Sequence, residues 1–476
     1  MWRLRQGSPS THSFPSPFGA RPPGPLHDRA LRPVAQGSIA EETISLRAED
    51  AAQRKSGSSR REEVLATATR LFNRHSFAAT TLDKIAAEIG LTPGALYHHF
   101  QSKEMLVFEC FSRGLRMYRD EIARAREPGL DGLEMVRRFV RGRLRPGEPR
   151  MITFSDIDAL PRNHRDIVHN ARMGNIRMLG GLIERGIDDG SIARCDPFLT
   201  SLAIFSVLDW MPFWYSERSY YTRQEAAEIL DDIVAHGIVR RDLAEIAPPP
   251  PRDPLALLGH LARMDKRRAK RDRLLRIATE SFNQRGVVGS SIEHIAADAG
   301  VSRGAYYYHA PDKNSLLHLC LKRAYRIETE VLELLIEHAP TSPDAAVRAV
   351  HFEFELLRAV TALHHSPYGP KISFHNVPFL TPANRAELQL IDRVLVGRNM
   401  GRYERAKAEG TFRQIDTLFI QEVGAGLRNN IPAWSRFTEG TDPEKVADCS
   451  TRLFMFGLKP RPDSHVSIPT ETVQKT

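Results

Sequence analysis

Cysteine is scarce: the 476 residues hold four, Cys110, Cys195, Cys320 and Cys449, each alone. Isolated thiols leave neither a disulfide framework nor a CxxC metal site, and they fit a reducing, cytosolic home. Long apolar runs are missing as well. No stretch of 18 or more uncharged apolar residues occurs, so the sequence predicts no bilayer span and no membrane partner. Alternating runs joined by Asn-Gly turns are absent, which argues against hairpins and sheets. There is no P-loop, no GxSxG elbow, no HExxH pair and no strand-borne GxGxxG. Acid pairs such as Asp188-Asp189 sit among hydrophilic neighbours, and the adjacent histidines His98-His99 and His364-His365 lack ligand partners at metal spacing. No catalytic residue, cofactor or metal site is expected.

What is present is a mildly cationic chain, with 67 basic against 58 acidic side chains, net +9 and a mean hydropathy of −0.36. That balance suits an anionic partner without making a polybasic tail. The first forty residues stand apart, with seven prolines, five arginines and one acid, Asp28. Proline at that density blocks helices, including the amphipathic helix of a targeting segment, so a disordered tail over 1–57 is expected.

The organisation comes from an internal repeat. Residues 61–107 set against 271–317, at a constant shift of 210, share 16 identities in 47 positions, among them Asn73, Gly90, Gly94, Tyr97, His99 and Lys103. Further on the shift becomes 220: residues 182–192 meet 402–412, Met211–Trp214 meets Ile431–Trp434, and Gly237 meets Gly457. About ten extra residues therefore lie in the second copy between 317 and 380. Between the copies runs a stiff proline-rich linker, Ala247 to Pro254. Within each copy apolar residues recur at three- and four-residue steps, as in Val64, Leu65, Ala68, Leu71 and Phe72. The fold class is all-α: two tandem units.

The informative run is TTLDKIAAEIGLTPGALYHHFQSKEMLV, residues 80–107. Thr80 and Asp83 have capping-box spacing and start a first helix, which Gly90 ends. Thr92 caps a second helix with Pro93 at its first position. Ser102 caps a third. Two short helices about a glycine turn make a helix-turn-helix, whose second helix enters a major groove. Leu96 and Phe100 should be core. Thr81, Thr92, Pro93, Gly94, Tyr97 and His98 then face outward, and Lys103 places a cation near the DNA backbone. The second copy offers Ser291, Ser302, Arg303, Gly304, Tyr307, Tyr308 and Lys313. Basic arms precede both heads: Arg54, Lys55, Arg60 and Arg61 in one, Lys266, Arg267 and Arg268 in the other.

TPGALYHHFQSKEML resembles the recognition-helix signature of the TetR/AcrR family of transcriptional regulators almost without deviation; SRGAYYYHAPDKNSL matches it with Tyr306, Ala310 and Asn314 in place of the expected residues. The resemblance implies an architecture. A tail (1–57) precedes a first DNA-binding domain (58–118) and a first helical regulatory domain (119–245). A linker (246–262), a second DNA-binding domain (263–328), a second regulatory domain (329–460) and a tail (461–476) follow. It also implies double-stranded operator DNA and a small apolar effector as partners, a bacterial cytoplasmic setting at the nucleoid, and an effector pocket to which Phe154, Met173, Phe205 and Trp210 could contribute. Because the family acts as dimers, residues 198–238 are expected to pack on 418–458 within one chain, as an intramolecular pseudo-dimer. The rivals are a homodimer of whole chains carrying four heads, and a helical scaffold in which only the first head binds DNA.

Overall fold

The computed structural model describes residues 60–461 apart from short segments at 76, 78–79, 146, 148–150, 154–156, 158–159, 216–220, 251, 253–265, 303, 305–309, 340 and 367–368. The terminal tails, save Arg461, and most of the linker's exit, 253–265, lie outside the described residues.

The first unit comprises α1 (60–75), α2 (Leu82–Glu88), α3 (Pro93–His99), α4 (Lys103–Ala125), α5 (Gly132–Arg143), α6 (Arg162–Asp188), α7 (Pro197–Trp214) and α8 (Arg223–His236). The predicted stripe of α1 is buried. It closes with Leu82, Ile85, Leu96, Phe100, the first half of α4 and, from the body, Ile152, Ile157, Leu160 and Val168 into one core. From Tyr118 onward α4 leaves that core and packs with α5, α6 and α7.

The second unit repeats the order with α9 (Lys266–Gly289), bent at Gly286, then α10 (Ile292–Asp298), α11 (Lys313–Glu337) and α12 (Ala345–His365). It continues with α13 (Pro382–Ala408), α14 (Thr417–Asn429), the short α15 (Ile431–Trp434) and α16 (Pro443–Phe456). Helix α12 has 21 residues where α5 has 12, so the surplus inferred from the changed shift is mostly extra helix. The linker lies along α12: Arg358 donates to the Pro249 carbonyl at 2.8 Å, Arg252 pairs with Glu355 at 3.2 Å, and the His351 ring meets the Ala247 carbonyl at 3.1 Å.

The two units meet through α7, which packs on α14 and α16, and through α8, which touches α16. At the end of this seam the chain crosses its own repeat reciprocally. The Ile238 amide donates to the Phe454 carbonyl (3.1 Å) and the Leu458 amide to Val234 (2.9 Å); Val239 donates to Met455 and Lys459 to Ala235, both at 2.9 Å; Arg413 donates to Ile238 and Ala193 to Leu458, both at 2.8 Å. Each pair interchanges under the 220-residue shift, so a pseudo-two-fold axis passes between Gly237 and Gly457. Side chains follow it. Arg241 donates to the carbonyls of Lys459 and Pro460, while Arg461 donates to those of Val239 and Arg240. Among the backbone bonds of the seam the Arg240 amide departs from the symmetry, donating to Thr411 at 3.0 Å where its counterpart, Pro460, has no N–H.

Candidate DNA-binding heads

Local signals build the first head with one displacement. Helix α2 is capped by Thr81, whose hydroxyl accepts from the Lys84 amide at 3.2 Å. The box read from Thr80 and Asp83 is therefore off by one residue. Thr80 is buried instead, and its hydroxyl donates to the Leu71 carbonyl at 3.3 Å, fastening the turn to α1. Gly90 takes a φ of 66° just beyond α2. Thr92 caps α3 by accepting from the Ala95 amide at 3.2 Å, with Pro93 at the first position, and Ser102 caps α4 through the Met105 amide at 3.1 Å. Leu96 and Phe100 point inward, at 0% and 2% exposed. What α3 leaves outside is a polar face of Thr92, Pro93, Gly94, Tyr97, His98 and His99, with Tyr97 52% exposed. A helix so presented, free of acids and capped by hydroxyls, has the shape and the hydrogen-bonding groups that a major groove accepts.

Lys103 is turned inward. Its ammonium donates to the carbonyls of Phe77 (2.9 Å) and Thr80 (3.2 Å) and lies 4.0 Å above the Phe77 ring. Its repeat counterpart Lys313 donates likewise to Val287, at 3.0 Å. Both lysines tie the corner between the first two helices of a head, so the identity recurs for a structural reason. In the arm, Arg60 pairs with Glu63 at 2.7 Å; Arg61 pairs with Glu109 at 3.1 Å and lies over the Phe100 ring. Arg54 and Lys55 lie outside the described residues.

In the second head, Ser291 caps α10 through the His294 amide at 3.3 Å, and Ser302 and Gly304 are exposed. Arg303, Tyr307 and Tyr308 lie outside the described residues, and Lys266, Arg267 and Arg268 form the first turn of α9. Ala310, standing where Phe100 stands in the first head, is fully buried. The core of this head is continuous with that of both bodies, whereas the first head's takes in only Ile152, Ile157, Leu160 and Val168 of its own body.

Sequence reasoning noticed Asn73 as a repeated identity without giving it work. In the structure it clamps head to body: its amide donates to the Met151 carbonyl at 2.7 Å, and its oxygen accepts from the Thr153 amide at 2.9 Å. Asn283 does the same with Lys371 (2.8 Å) and Ser373 (2.9 Å). Asn73→Ala should lower stability by about 1–3 kcal/mol and speed exchange of the Thr153 amide; unchanged exchange at that amide would contradict the clamp. Cys110 and Cys320 form another repeated pair, packed against the Leu65 and Leu275 carbonyls at 3.7 and 3.4 Å, and burial pushes both thiols up to about 12. They are inert core groups.

The residues read as effector contacts separate. Phe205 is buried against the rings of Tyr118 (4.8 Å) and Phe139 (5.9 Å). Trp210 belongs to the seam between units, donating from its indole N–H to Glu422 at 3.0 Å. Met173 is half-buried on α6, and Phe154 lies outside the described residues. Behind Phe205 sits a buried polar triplet missed by sequence reading, in which Asp209 accepts from Tyr118 at 2.9 Å and from Arg172 at 2.6 Å. Burial pushes the Asp209 carboxyl up, against the pull of Arg172 and the Tyr118 hydroxyl. The register counterparts are Glu328, Asn429 and Asp392. There Lys371 pairs with Glu328 at 2.7 Å and donates to Asn429 at 2.8 Å. The two interiors share a fold and differ in chemistry.

A helix-turn-helix head in the first unit, its repeat in the second and a helical body beneath each define a class: an all-α chain of two tandem head-and-body units. The family profile described as bacterial regulatory proteins, tetR family, matches residues 64–110 and again 274–320, and the tetracyclin repressor-like C-terminal domain matches 133–238. The HTH-type transcriptional repressor KstR2 of Rhodococcus jostii is 31% identical over 201 residues, covering 92% of that protein and 38% of this chain. An uncharacterized HTH-type transcriptional regulator of Bacillus subtilis, YhgD, is 24% identical over 184 residues, 96% of its length and 38% of this chain. Among solved structures, the TetR family regulator PfmR of Thermus thermophilus is 26% identical, covering 36% of this chain and 95% of that one, with a TM-score of 0.32. The chain belongs to the TetR family of transcriptional regulators and carries two tandem units.

Proposed function

We propose that a single chain acts as a self-contained pseudo-dimer that binds an operator with two unlike half-sites and represses until a small molecule binds a body. The reciprocal seam about Gly237 and Gly457 carries this reading: it pairs one unit with the other as an isologous interface pairs two protomers, so the family's two-fold arrangement is satisfied within one polypeptide. The exposed face of α3 supports DNA contact by the first head. The heads differ where bases are read. Thr92-Pro93-Gly94 stands opposite Ser302-Arg303-Gly304, and an arginine there can hold guanine O6 and N7 together, at about 1–3 kcal/mol of discrimination. An apolar effector in the first body would have to part Phe205 from Tyr118 and Phe139, which favours the second body as the responsive one.

Mass in solution tests the first element: a particle of 53.7 kDa is expected, and one of twice that mass would remove the single-chain reading. Band shifts test the second. Tyr97→Ala and Tyr307→Ala should each weaken operator binding at least tenfold. Loss from Tyr97→Ala alone would favour the scaffold reading of the second head, a possibility kept open by Ala310 and by that head's core running into the bodies. Arg303→Ala should relax base preference in one half-site and leave the other unchanged.

A further inference from the structure

We propose that the second unit binds a small ammonium-bearing molecule in a cleft between its head and its body. This deepens the ligand-responsive reading above and rests on it only for its effect on DNA. The cleft, of about 400 Å³, opens between α9, the C-terminal end of α12 and the segment that follows α15. Its head wall carries Glu280 and Gln284, its α12 wall His364 and His365, and its body wall Thr438 and Glu439. The volume suits a small metabolite.

Charge selects the occupant. Glu280 and Glu439 line the cleft, and among the described residues neither lysine nor arginine lines it. The cation that Glu280 faces, Arg276, is 3.7 Å away on its own helix. His364 adds no positive charge, because burial pushes it down to about 3 and leaves the ring neutral at pH 7. The ring meets the Ser435 hydroxyl at 3.3 Å through Nε2, while its buried Nδ1 has no hydrogen-bond partner among the described residues. A partly desolvated corner with two carboxylates and a neutral imidazole favours a cation over a neutral or anionic guest.

The duplication supplies an internal comparison. At register, Glu280 corresponds to Arg70, Gln284 to Arg74, His365 to Arg145 and Thr438 to Arg218. Four arginine positions of the first unit have become acidic or uncharged at neutral pH in the second. The register is secure at this corner, because the Asn73 and Asn283 clamps coincide under the same pair of shifts. An occupant would touch α9 and the body at once, beside the Asn283 clamp, and so would hold the second head to its body.

Calorimetry on the full chain at low salt, with putrescine and spermidine as probes and butane-1,4-diol as the uncharged control, tests the site. One saturable site for an amine is expected, with no diol binding. The affinity should fall at least tenfold in Glu439→Gln, an exposed position, and in Glu280→Arg, which installs the residue that the first unit already carries there. Circular dichroism establishes that both variants are folded. If neither amine binds, or if both folded variants bind like the parent, the proposal is overturned. Duplex affinity is measured separately without amine: a chain that binds amine but no DNA would keep the cleft and remove the regulator reading.

Discussion

Gly237→Ala is expected to force the two units apart. Gly237 has a φ of 67°, a conformation that strains any residue with a Cβ, and the added carbon would lie 2.3 Å from the Met455 carbonyl oxygen and 2.5 Å from the Phe456 nitrogen. Those neighbours are backbone, which cannot swing aside as a side chain can. Gly457→Ala is the mirror experiment: φ is 71°, and the new Cβ would stand 2.5 Å from the Gly237 nitrogen. Relief requires the reciprocal amide bonds to part, exposing groups that the fold has buried. Either variant should lose on the order of 4 kcal/mol or more, lowering the thermal midpoint by roughly 10 °C. A shift within about 2 °C would show that the seam yields and is not the rigid axis of the molecule.

Glu422→Gln is expected to stabilise the protein at pH 8 and to do little near pH 4.5. Burial pushes the Glu422 carboxyl from 4.5 up to about 7, helped by Asp392 and opposed by the Trp210 indole and Arg428. Between those values the unfolded chain releases a proton that the folded chain retains, so stability falls as pH rises from 4.5 to 7 and stays at the lower level above that. The difference corresponds to about 3 kcal/mol. Glutamine keeps an oxygen for the Trp210 N–H and carries no ionisable proton, so its advantage should grow through that window. Urea unfolding of parent and variant at pH 5 and pH 8 reads this directly. A gap of the same size at both values would mean that Glu422 does not titrate there.

What was legible in the sequence was local or periodic. Caps such as Thr92-Pro93 and Ser102 act within one turn, so residue type and spacing suffice to place them. The duplication exposed the register, and with it Asn73, Gly237 and about ten extra residues in the second copy, before any geometry was known; that most of them lengthen α12 came from the structure. The misplacement of the first cap, from Thr81 to Thr80, reflects two adjacent threonines with equal local claims, decided by Thr80 having the Leu71 carbonyl within reach. Lys103 was misjudged because a lysine's four-carbon stem lets it turn inward to carbonyls 23 and 26 residues away, which no local pattern records. The Tyr118–Asp209–Arg172 triplet and the Trp210–Glu422 bond join positions up to 212 residues apart. Such partners are chosen by tertiary packing, and single residues give no hint of them.

The linker pinned along α12 has a consequence for dosage. A regulator assembled from separate halves loses its active form steeply as its copy number falls, since both halves must find each other. Here the second half is never more than one tether away, so under the single-chain reading the active fraction is independent of concentration. Occupancy of the control region should then respond to gene expression in first order down to a few molecules per cell.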